Sequence, residues 1–292
     1  MPSGDTFVSS VSEGLDTVIA SARTTREFPA DVMLKVCDLQ KLEDGTGTSW
    51  REFLAAQLTA ANYGETDTID NAQELDGSVL SATPQLVAIQ TFIGKRVEAR
   101  LNRKAYGTFG RLAQDAISRK KDQDGLALFS TFSSTVAGTG TTLSHGHILA
   151  AANRIASDAT EPGPEPYHAV LHGYGIYDIQ SEILSSVGSA AIPSGYTQET
   201  FMRGFRGMVG NVNVHTDGLI AVDGTPDARG AIFSWYAILC VQGMSPWTEM
   251  RQEPQKGYGG TSVWLKDEFI WAERSAGNMA YGALHNATAP TS

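Results

Sequence analysis

The sequence predicts a mixed α+β protein, and three observations lead to that class. Segments with the 3.6-residue period of a helix and segments with the two-residue alternation of a strand occur along most of the chain. A strongly β-forming run over residues 86–101 passes almost directly into a helical pattern over 104–132. The 30 glycines and the 18% of charged residues indicate many tight turns and a weakly charged surface, as expected where a surface contacts other chains. At 292 residues, the chain is long enough to bury a large core.

The first predicted element is an amphipathic helix over residues 5–24, with Asp5 or Thr6 placed to cap it and Pro29 beyond its end. A short apolar segment with alternating side chains follows at 32–39.

Residues 45–83 form a long acidic stretch with little core pattern. Arg51 is its one basic residue, and six acidic residues bring its net charge to −5. These acidic residues are Glu52, Glu65, Asp67, Asp70, Glu74 and Asp76.

The next stretch predicts a strand followed by a long helix. Apolar residues alternate over 86–101, and Gly94 between the two halves of the run indicates a bulge or bend. The helix is expected over about 104–132, where apolar residues recur on one face. Two pairs of opposite charge at i,i+4 support it, namely Asp115–Arg119 and Lys120–Asp124.

The second half of the chain alternates between helical and strand patterns, and the residues after Leu284 are expected to be a loose tail. The predicted elements are a helix at 144–157, a strand at 167–171, a helix at 175–186, strands around 212–214, a buried strand at 231–241 and a final strand at 261–273.

The basic residues are strongly segregated. Residues 95–121 hold nine basic and two acidic residues, a net charge of +7, whereas the whole chain carries −10. Such segregation indicates a partner for the basic stretch. The acidic balance of the whole chain argues against a dedicated nucleic-acid-binding protein.

No motif indicates catalysis, a metal or a cofactor. The histidine pairs His145/His147 and His168/His172 lack an HExxH context, and two cysteines cannot complete a typical zinc site. Glycines 204, 207 and 210 form GxxGxxG instead of a dinucleotide fingerprint, and no GxSxG elbow occurs. The expectation is therefore a protein that is not an enzyme and needs no cofactor.

The cysteines and the longest apolar run bear on location. Cys37 and Cys240 are interpreted as small buried apolar residues, with a disulfide or a reactive thiol as the alternatives. No run approaches the about 18 apolar residues of a membrane-spanning helix, and the N-terminus lacks the pattern of a signal peptide. A location inside a cell, away from membranes, is expected.

The order of these elements resembles the major capsid proteins of tailed bacteriophages, which have the Hong Kong 97-type fold. Residues 81–130 (SATPQLVAIQTFIGKRVEARLNRKAYGTFGRLAQDAISRKKDQDGLALFS) resemble that family's long strand and its spine helix. Residues 199–219 (ETFMRGFRGMVGNVNVHTDGL) resemble its glycine-punctuated turn and strand in the axial domain. Residues 259–283 (GGTSVWLKDEFIWAERSAGNMAYGA) resemble its terminal strand. The resemblance extends over nearly the whole chain.

The resemblance implies a division of the chain into named parts. These are an N-terminal arm at 1–44, an extended loop at 45–83, a peripheral domain with the spine helix at 84–135 and 244–284, an axial domain at 140–243, and a C-terminal tail at 285–292.

The resemblance also implies the function. The chain would assemble with copies of itself, through pentamers and hexamers, into an icosahedral shell around double-stranded DNA. It would be made in the cytoplasm of a host bacterium and end in the virion. A portal, a separate scaffolding protein and a decoration protein are its expected further partners. No lysine lies between Leu42 and Gly94, so the loop lysine that forms covalent cross-links in the namesake of the fold is missing. A non-covalent shell is therefore expected.

Two explanations of the charge pattern remain open. In the first, the acidic loop lies across the basic stretch of a neighbouring copy; the candidate basic residues are Arg96, Arg100 and Arg103, and Lys104 is a candidate for either explanation. In the second, the basic stretch faces inward and neutralises DNA phosphates without reading sequence; the candidates are Arg119, Lys120 and Lys121. Two alternatives to a phage capsid also remain: an encapsulin-type nanocompartment shell and a soluble hydrolase with an unrecognised site.

Overall fold

A computed structural model describes residues 31–43, 45, 47–66, 68, 72–98, 103–187, 207–257, 259–274 and 278–290, without the side chains of 97, 98, 103–109 and 183–187. The helix predicted at 5–24 lies outside the described residues. The helices are α1 (Val32–Val36), α2 (Lys95–Glu98), α3 (Arg103–Ala127), α4 (His145–Ala156) and α5 (Gly173–Val187). A 3-10 turn, Leu128–Ser130, extends α3.

Thirteen strands are described, and they form three sheets. They are β1 (Asp38–Lys41), β2 (Trp50–Ala55), β3 (Gly77–Ala82), β4 (Gln85–Gly94), β5 (Thr135–Ala137), β6 (Tyr167–Leu171), β7 (Met208–Val209), β8 (Val212–Thr216), β9 (Asp227–Ser234), β10 (Ile238–Gln242), β11 (Trp247–Gln252), β12 (Gly260–Glu273) and β13 (Ala280–Asn286).

A five-stranded sheet is built around the long strand β12. β4 pairs with one edge of β12 along ten residues, while β11 and β10 pair with successive parts of the other edge, and β1 runs parallel to β10. Alternate side chains point to opposite faces of a strand. Cys240 and Trp271 accordingly pack with α1 and α3 on one face, whereas Val241 and Ile270 pack with β3 on the other.

The long helix α3, which corresponds to the predicted spine helix and is given that name below, lies close against this sheet. The indole N–H of Trp271 donates to the carbonyl oxygen of Lys121 at 2.9 Å. A Cβ on Gly125 would lie 3.1 Å from both Met33 and the Trp271 ring, so a glycine at this position permits the close packing of α1, α3 and β12.

A six-stranded sheet has the order β5-β13-β9-β6-β8-β7. One face carries α4 and α5, with Ile148, Ile155 and Ile179 fully buried against it. Its other face contributes Val170 and Phe233 to the core that α3 and the five-stranded sheet share. The two sheets are thus joined by one continuous apolar core.

Several predicted elements are confirmed. α4 begins after Ser144, whose backbone N–H donates to the His147 ring at 3.2 Å in a capping box, and β6 spans the predicted 167–171. α3, α5 and β12 lie within one or a few residues of their predicted bounds. The i,i+4 pair Lys120–Asp124 forms, with a distance of 2.5 Å.

The strand predicted over 86–101 is wrong in its second half. β4 ends at Gly94, and the chain continues as the helix α2. Gly94 pairs with Gly260, which is the first residue of β12, so the partner strand ends at that point. The apolar segment at 32–39 likewise divides into the helix α1 and the beginning of β1.

The single buried strand predicted over 231–241 is also wrong. The run contains two strands in different sheets, β9 and β10. A turn separates them, in which the N–H of Ala237 donates to the carbonyl oxygen of Ser234 at 2.9 Å. This mostly apolar run, interrupted at Ser234, therefore crosses from one sheet to the other.

The tail predicted after Leu284 begins later than expected. β13 continues to Asn286, and His285 is fully buried, with its ring in the space where Gly175 has no Cβ. β10 lies in the five-stranded sheet and β13 in the six-stranded sheet, and the division into peripheral and axial domains stays a prediction.

Both cysteines are free; Cys240 is buried, as expected from the sequence, whereas Cys37 is only partly buried. Burial raises the pKa of Cys240 to about 11 and also raises that of Cys37, so both thiols are protonated near neutral pH. Among the helices of the described part of the chain, none is long and apolar enough to cross a membrane.

Candidate functional site: the acidic hairpin and the spine helix

The predicted acidic loop contains a β-hairpin whose base is fixed to the five-stranded sheet. β2 and β3 pair antiparallel from Trp50↔Ala82 to Ala55↔Gly77. Ala82 is buried and Trp50 is half-buried on the face of β10 that points away from α3. We call β2, β3 and the connection between them the acidic hairpin.

The outward face of the acidic hairpin exposes large apolar side chains. Phe53 and Val79 are cross-strand partners, and 54% and 60% of their surfaces are exposed. Leu58 and Leu75, which lie beyond the strands, are each 64% exposed. An exposed apolar patch is typical of a surface that another molecule covers.

A buried arginine anchors the base of the hairpin. The Arg274 guanidinium lies 2.6 Å from Asp38 Oδ2 and 2.9 Å from Glu52 Oε2, and it donates to the carbonyl oxygen of Tyr236 at 3.0 Å. The Tyr236 hydroxyl donates to the other oxygen of Glu52 at 2.7 Å. Only 7% of the Arg274 side chain is exposed. One cation thus joins β1, β2, β12 and the turn before β10.

The electrostatics of this anchor favour its ionised form. Burial opposes the charge on Glu52, but hydrogen bonds from Arg274 and Tyr236 outweigh it, so the pKa of Glu52 is lowered. The hydrogen bond to Glu52 and burial together raise the pKa of Tyr236. Glu52, a predicted contact to a neighbouring copy, is therefore held within its own chain.

The other acidic residues of the hairpin lie toward its tip. Glu65, Glu74 and Asp76 are exposed, whereas Asp67 and Asp70 lie outside the described residues. The hairpin also contacts the segment that follows α4, because the Gln57 amide donates to the carbonyl oxygen of Thr160 at 2.6 Å.

The basic residues of the spine region have different environments. Arg96 and Lys120 are exposed and Arg119 is half-exposed. Arg100 lies outside the described residues, and for Arg103 and Lys104 only the backbone, at the beginning of α3, is described.

Lys121 is not a surface residue, contrary to its predicted role as a contact to DNA or to a neighbour. It is 8% exposed, its ammonium lies 3.2 Å from Asp267 Oδ2, and it donates to Gln242 Oε1 at 2.5 Å. The Phe269 ring lies 4.8 Å away. The residue faces the sheet because it follows Ile117 by four positions, on the same face of α3.

The acidic hairpin and the spine helix lie on opposite faces of one sheet. The residues of β10 and β12 that contact the base of the hairpin alternate with those that contact α3. The acidic hairpin and the exposed basic residues of α3 therefore belong to different sides of this sheet.

Arg274 is the functional residue that sequence reasoning missed. Its charged partners are Asp38 and Glu52, the second of which is 222 positions distant in the chain. No local pattern signals such a contact, and a single arginine at the end of an alternating strand resembles any exposed strand end.

The histidines identified in the sequence make structural contacts. His145 accompanies Glu182 at 3.2 Å, and His168 contacts His215 at 3.1 Å. In the part of the chain that the structure describes, no group of three or more His, Cys, Asp or Glu side chains is arranged to hold a metal ion.

Comparison with known proteins gives matches in fold but not in sequence. No family model and no curated protein matches the chain. Solved phage structures match over nine tenths of its length. The capsid asymmetric unit of cyanophage Pam1 has a TM-score of 0.71 at 11% identity, with coverage of 92% of this chain and 96% of that chain. A structure from Mycobacterium phage Che8 has a TM-score of 0.69 at 12% identity, with the same coverage.

A third structure, the capsid of cyanophage P-SCSP1u, has a TM-score of 0.66 at 11% identity and covers 92% of both chains. The chain therefore has the mixed helix-and-strand fold of tailed-phage capsid proteins, as the sequence resemblance predicted.

Proposed function

We propose that this chain is the major capsid protein of a tailed bacteriophage and that copies of it form an icosahedral shell around double-stranded DNA. The observation that carries this proposal is the match, over more than nine tenths of both chains, to solved phage capsids. The parts named from the resemblance (arm, loop, peripheral domain, axial domain and tail) belong to the same proposal. Shell formation would proceed through pentamers and hexamers.

The acidic hairpin supports a role in contacts between copies. Its outward face exposes Phe53, Val79 and Leu75, and its tip carries acidic side chains. We infer that this face packs on a neighbouring copy and that Glu65, Asp67 and Asp70 approach basic residues of that neighbour. Arg96, Arg100, Arg103 and Lys104 are the proposed basic partners.

The exposed basic residues of α3 support a second role, on the inside of the shell. Arg119 and Lys120 are the proposed contacts to DNA phosphates, and such contacts are independent of base sequence. Lys121 is omitted because Asp267 and Gln242 hold it within the chain. A scaffolding protein, a portal and a decoration protein, together with assembly in the host cytoplasm, complete the proposal.

The first test is the particle mass of the purified full chain, measured by light scattering and negative-stain imaging, with and without a co-expressed scaffolding protein. Closed shells of megadalton mass, or pentamers and hexamers that convert to them, are the expected result. A chain that stays at 31.2 kDa even with its scaffold contradicts the proposal. Shells that contain an enzyme in place of DNA favour a nanocompartment.

A further inference from the structure

Two fully buried carboxyl groups meet where the spine helix reaches the six-stranded sheet. Asp122 on α3 and Asp217, directly after β8, have no exposed surface. One oxygen of each is satisfied, because Asp122 Oδ1 accepts the N–H of Met33 at 3.0 Å and Asp217 Oδ1 accepts the N–H of Leu219 at 2.8 Å. The Oδ2 atom of each residue is buried and receives no hydrogen bond from the described residues. Asp217 raises the pKa of Asp122 through both side-chain hydrogen bonding and charge repulsion, so the two buried carboxyl groups are close neighbours.

A single proton accounts for both unsatisfied oxygens. Two ionised carboxylates in contact inside a protein repel each other, and buried polar atoms are normally hydrogen-bonded. A protonated carboxyl group has an O–H donor that a neighbouring carboxylate accepts. Burial, followed by the hydrogen bond to Asp217, raises the pKa of Asp122 to about 7.

We propose that Asp122 and Asp217 share one proton and that this proton locks α1 and the spine helix to the six-stranded sheet. The lock joins three segments distant in sequence, because Asp122 also holds the backbone of α1 through Met33. When the proton leaves, two adjacent buried negative charges push these segments apart. If the chain forms shells, as proposed above, deprotonation would favour movement of the two sheets relative to each other.

The charged groups around the pair do not neutralise a second negative charge. On α1, Asp31 adds repulsion toward Asp122 and forms a salt bridge with Lys35 at 2.5 Å. Lys121, the neighbour of Asp122 on α3, is held by Asp267. On the side of the six-stranded sheet, burial lowers the pKa of His172 despite the attraction of Asp217. Burial also lowers the pKa of His215 on β8.

The sign of the pH dependence follows from the raised pKa of Asp122. A carboxyl group with a higher pKa in the folded chain stabilises the fold fully below its unfolded value of 3.8, and this contribution is lost as the pH rises to about 7. Several histidines have lowered pKa values and give the opposite slope. The test therefore compares variants with wild type instead of relying on one profile.

The matched variants are Asp122→Asn and Asp217→Asn in the full chain. Each places an amide donor at the contact, so the remaining carboxylate no longer needs a proton. The slope of unfolding free energy against pH, expressed in protons, should differ from wild type by about one proton between about pH 5 and pH 6.5 in both variants. An unchanged slope in both overturns the proposal. The proposal is also overturned if the slope changes in Asp122→Asn but keeps its wild-type value in Asp217→Asn. Asp122 would then be protonated because of its burial alone, without a contribution from Asp217.

Two measurements on the wild-type chain keep the test valid if a variant fails to fold. With isotope-labelled aspartate, the infrared spectrum should show a carboxylic acid band at pH 6 that disappears above about pH 8; absence of that band at pH 6 overturns the proposal. Stabilisation at high pH by added Mg²⁺ or Ca²⁺ would also overturn it, in favour of a bound cation. A shared proton in a chain that never assembles contradicts the proposed function but leaves the lock intact.

Discussion

At the scale of single residues, the position of the acidic hairpin depends on one buried cation. Arg274 satisfies two carboxylates and a backbone carbonyl, and its guanidinium carbon lies 3.9 Å from the centre of the Tyr236 ring. Arginine suits this position because its planar group of five donors contacts several acceptors at once and stays charged when buried. Burial opposes that charge, yet Glu52 and Asp38 outweigh it and raise the pKa of Arg274.

Replacement of Arg274 tests this anchor. Arg274→Gln leaves Asp38 and Glu52 without their cation, so we expect a loss of about 3 kcal/mol in unfolding free energy, as for one broken half of a buried ion pair. The matched control, Glu52→Gln, should cost only about 1 kcal/mol because 28% of the Glu52 side chain is exposed and Asp38 keeps its partner. Urea denaturation of both variants measures the difference. Equal losses of unfolding free energy in the two variants would mean that the stabilising contribution of Arg274 comes only from its contact with Glu52.

The ion pairs of Arg274 and the burial of Lys121 could not be predicted from the sequence. Long-range ion pairs leave no local pattern, since the partners of Arg274 lie in β1 and β2. The burial of Lys121 had a weak local signal, its spacing from Ile117 on the apolar face of α3. Its charge concealed that signal, because a lysine within a basic cluster is normally exposed.

At the scale of elements, local periodicity was a reliable guide only where tertiary contacts agreed with it. α4 and β6 were predicted well because caps and apolar spacing define them locally. The ends of β4 and β9 were not predictable in this way, because each depends on where a partner strand or a turn lies. β13 was missed for a related reason, since a stretch rich in small residues becomes a strand only through its pairing with β9 and β5.

The acidic hairpin is the element whose charge can be tested directly. We expect the triple change of Glu65, Asp67 and Asp70 to lysine to block assembly, because the tip would then repel the basic surface of a neighbouring copy. Neutralisation of the same residues, to Gln, Asn and Asn, is the matched control and should slow assembly less. Light scattering at several salt concentrations measures both effects, since screening should lessen the difference. Normal shells from the lysine variant would contradict a charged contact between copies.

At the scale of the whole molecule, the chain combines a shared apolar core with exposed apolar and charged surfaces. One apolar core joins both sheets and the spine helix, so the subunit has its own stable interior. Phe53 and Val79 on the acidic hairpin, and Lys120 on α3, are exposed to solvent in the single chain. Repetition by symmetry makes such modest surfaces effective, because a closed shell uses every copy of each interface.

A shell of this chain should be held together without covalent bonds between copies. The segment from Leu42 to Gly94, which includes the whole acidic hairpin, contains no lysine, so no amine there can form an isopeptide bond. The buried cysteine Cys240 is equally unsuited to cross-linking, because it lies inside the five-stranded sheet and its thiol stays protonated. Purified particles boiled in SDS should therefore migrate as a single band at 31.2 kDa, with or without reductant. A ladder of higher bands would show that another lysine cross-links the copies, and apolar packing of the hairpin would then not be the main contact that keeps the shell closed.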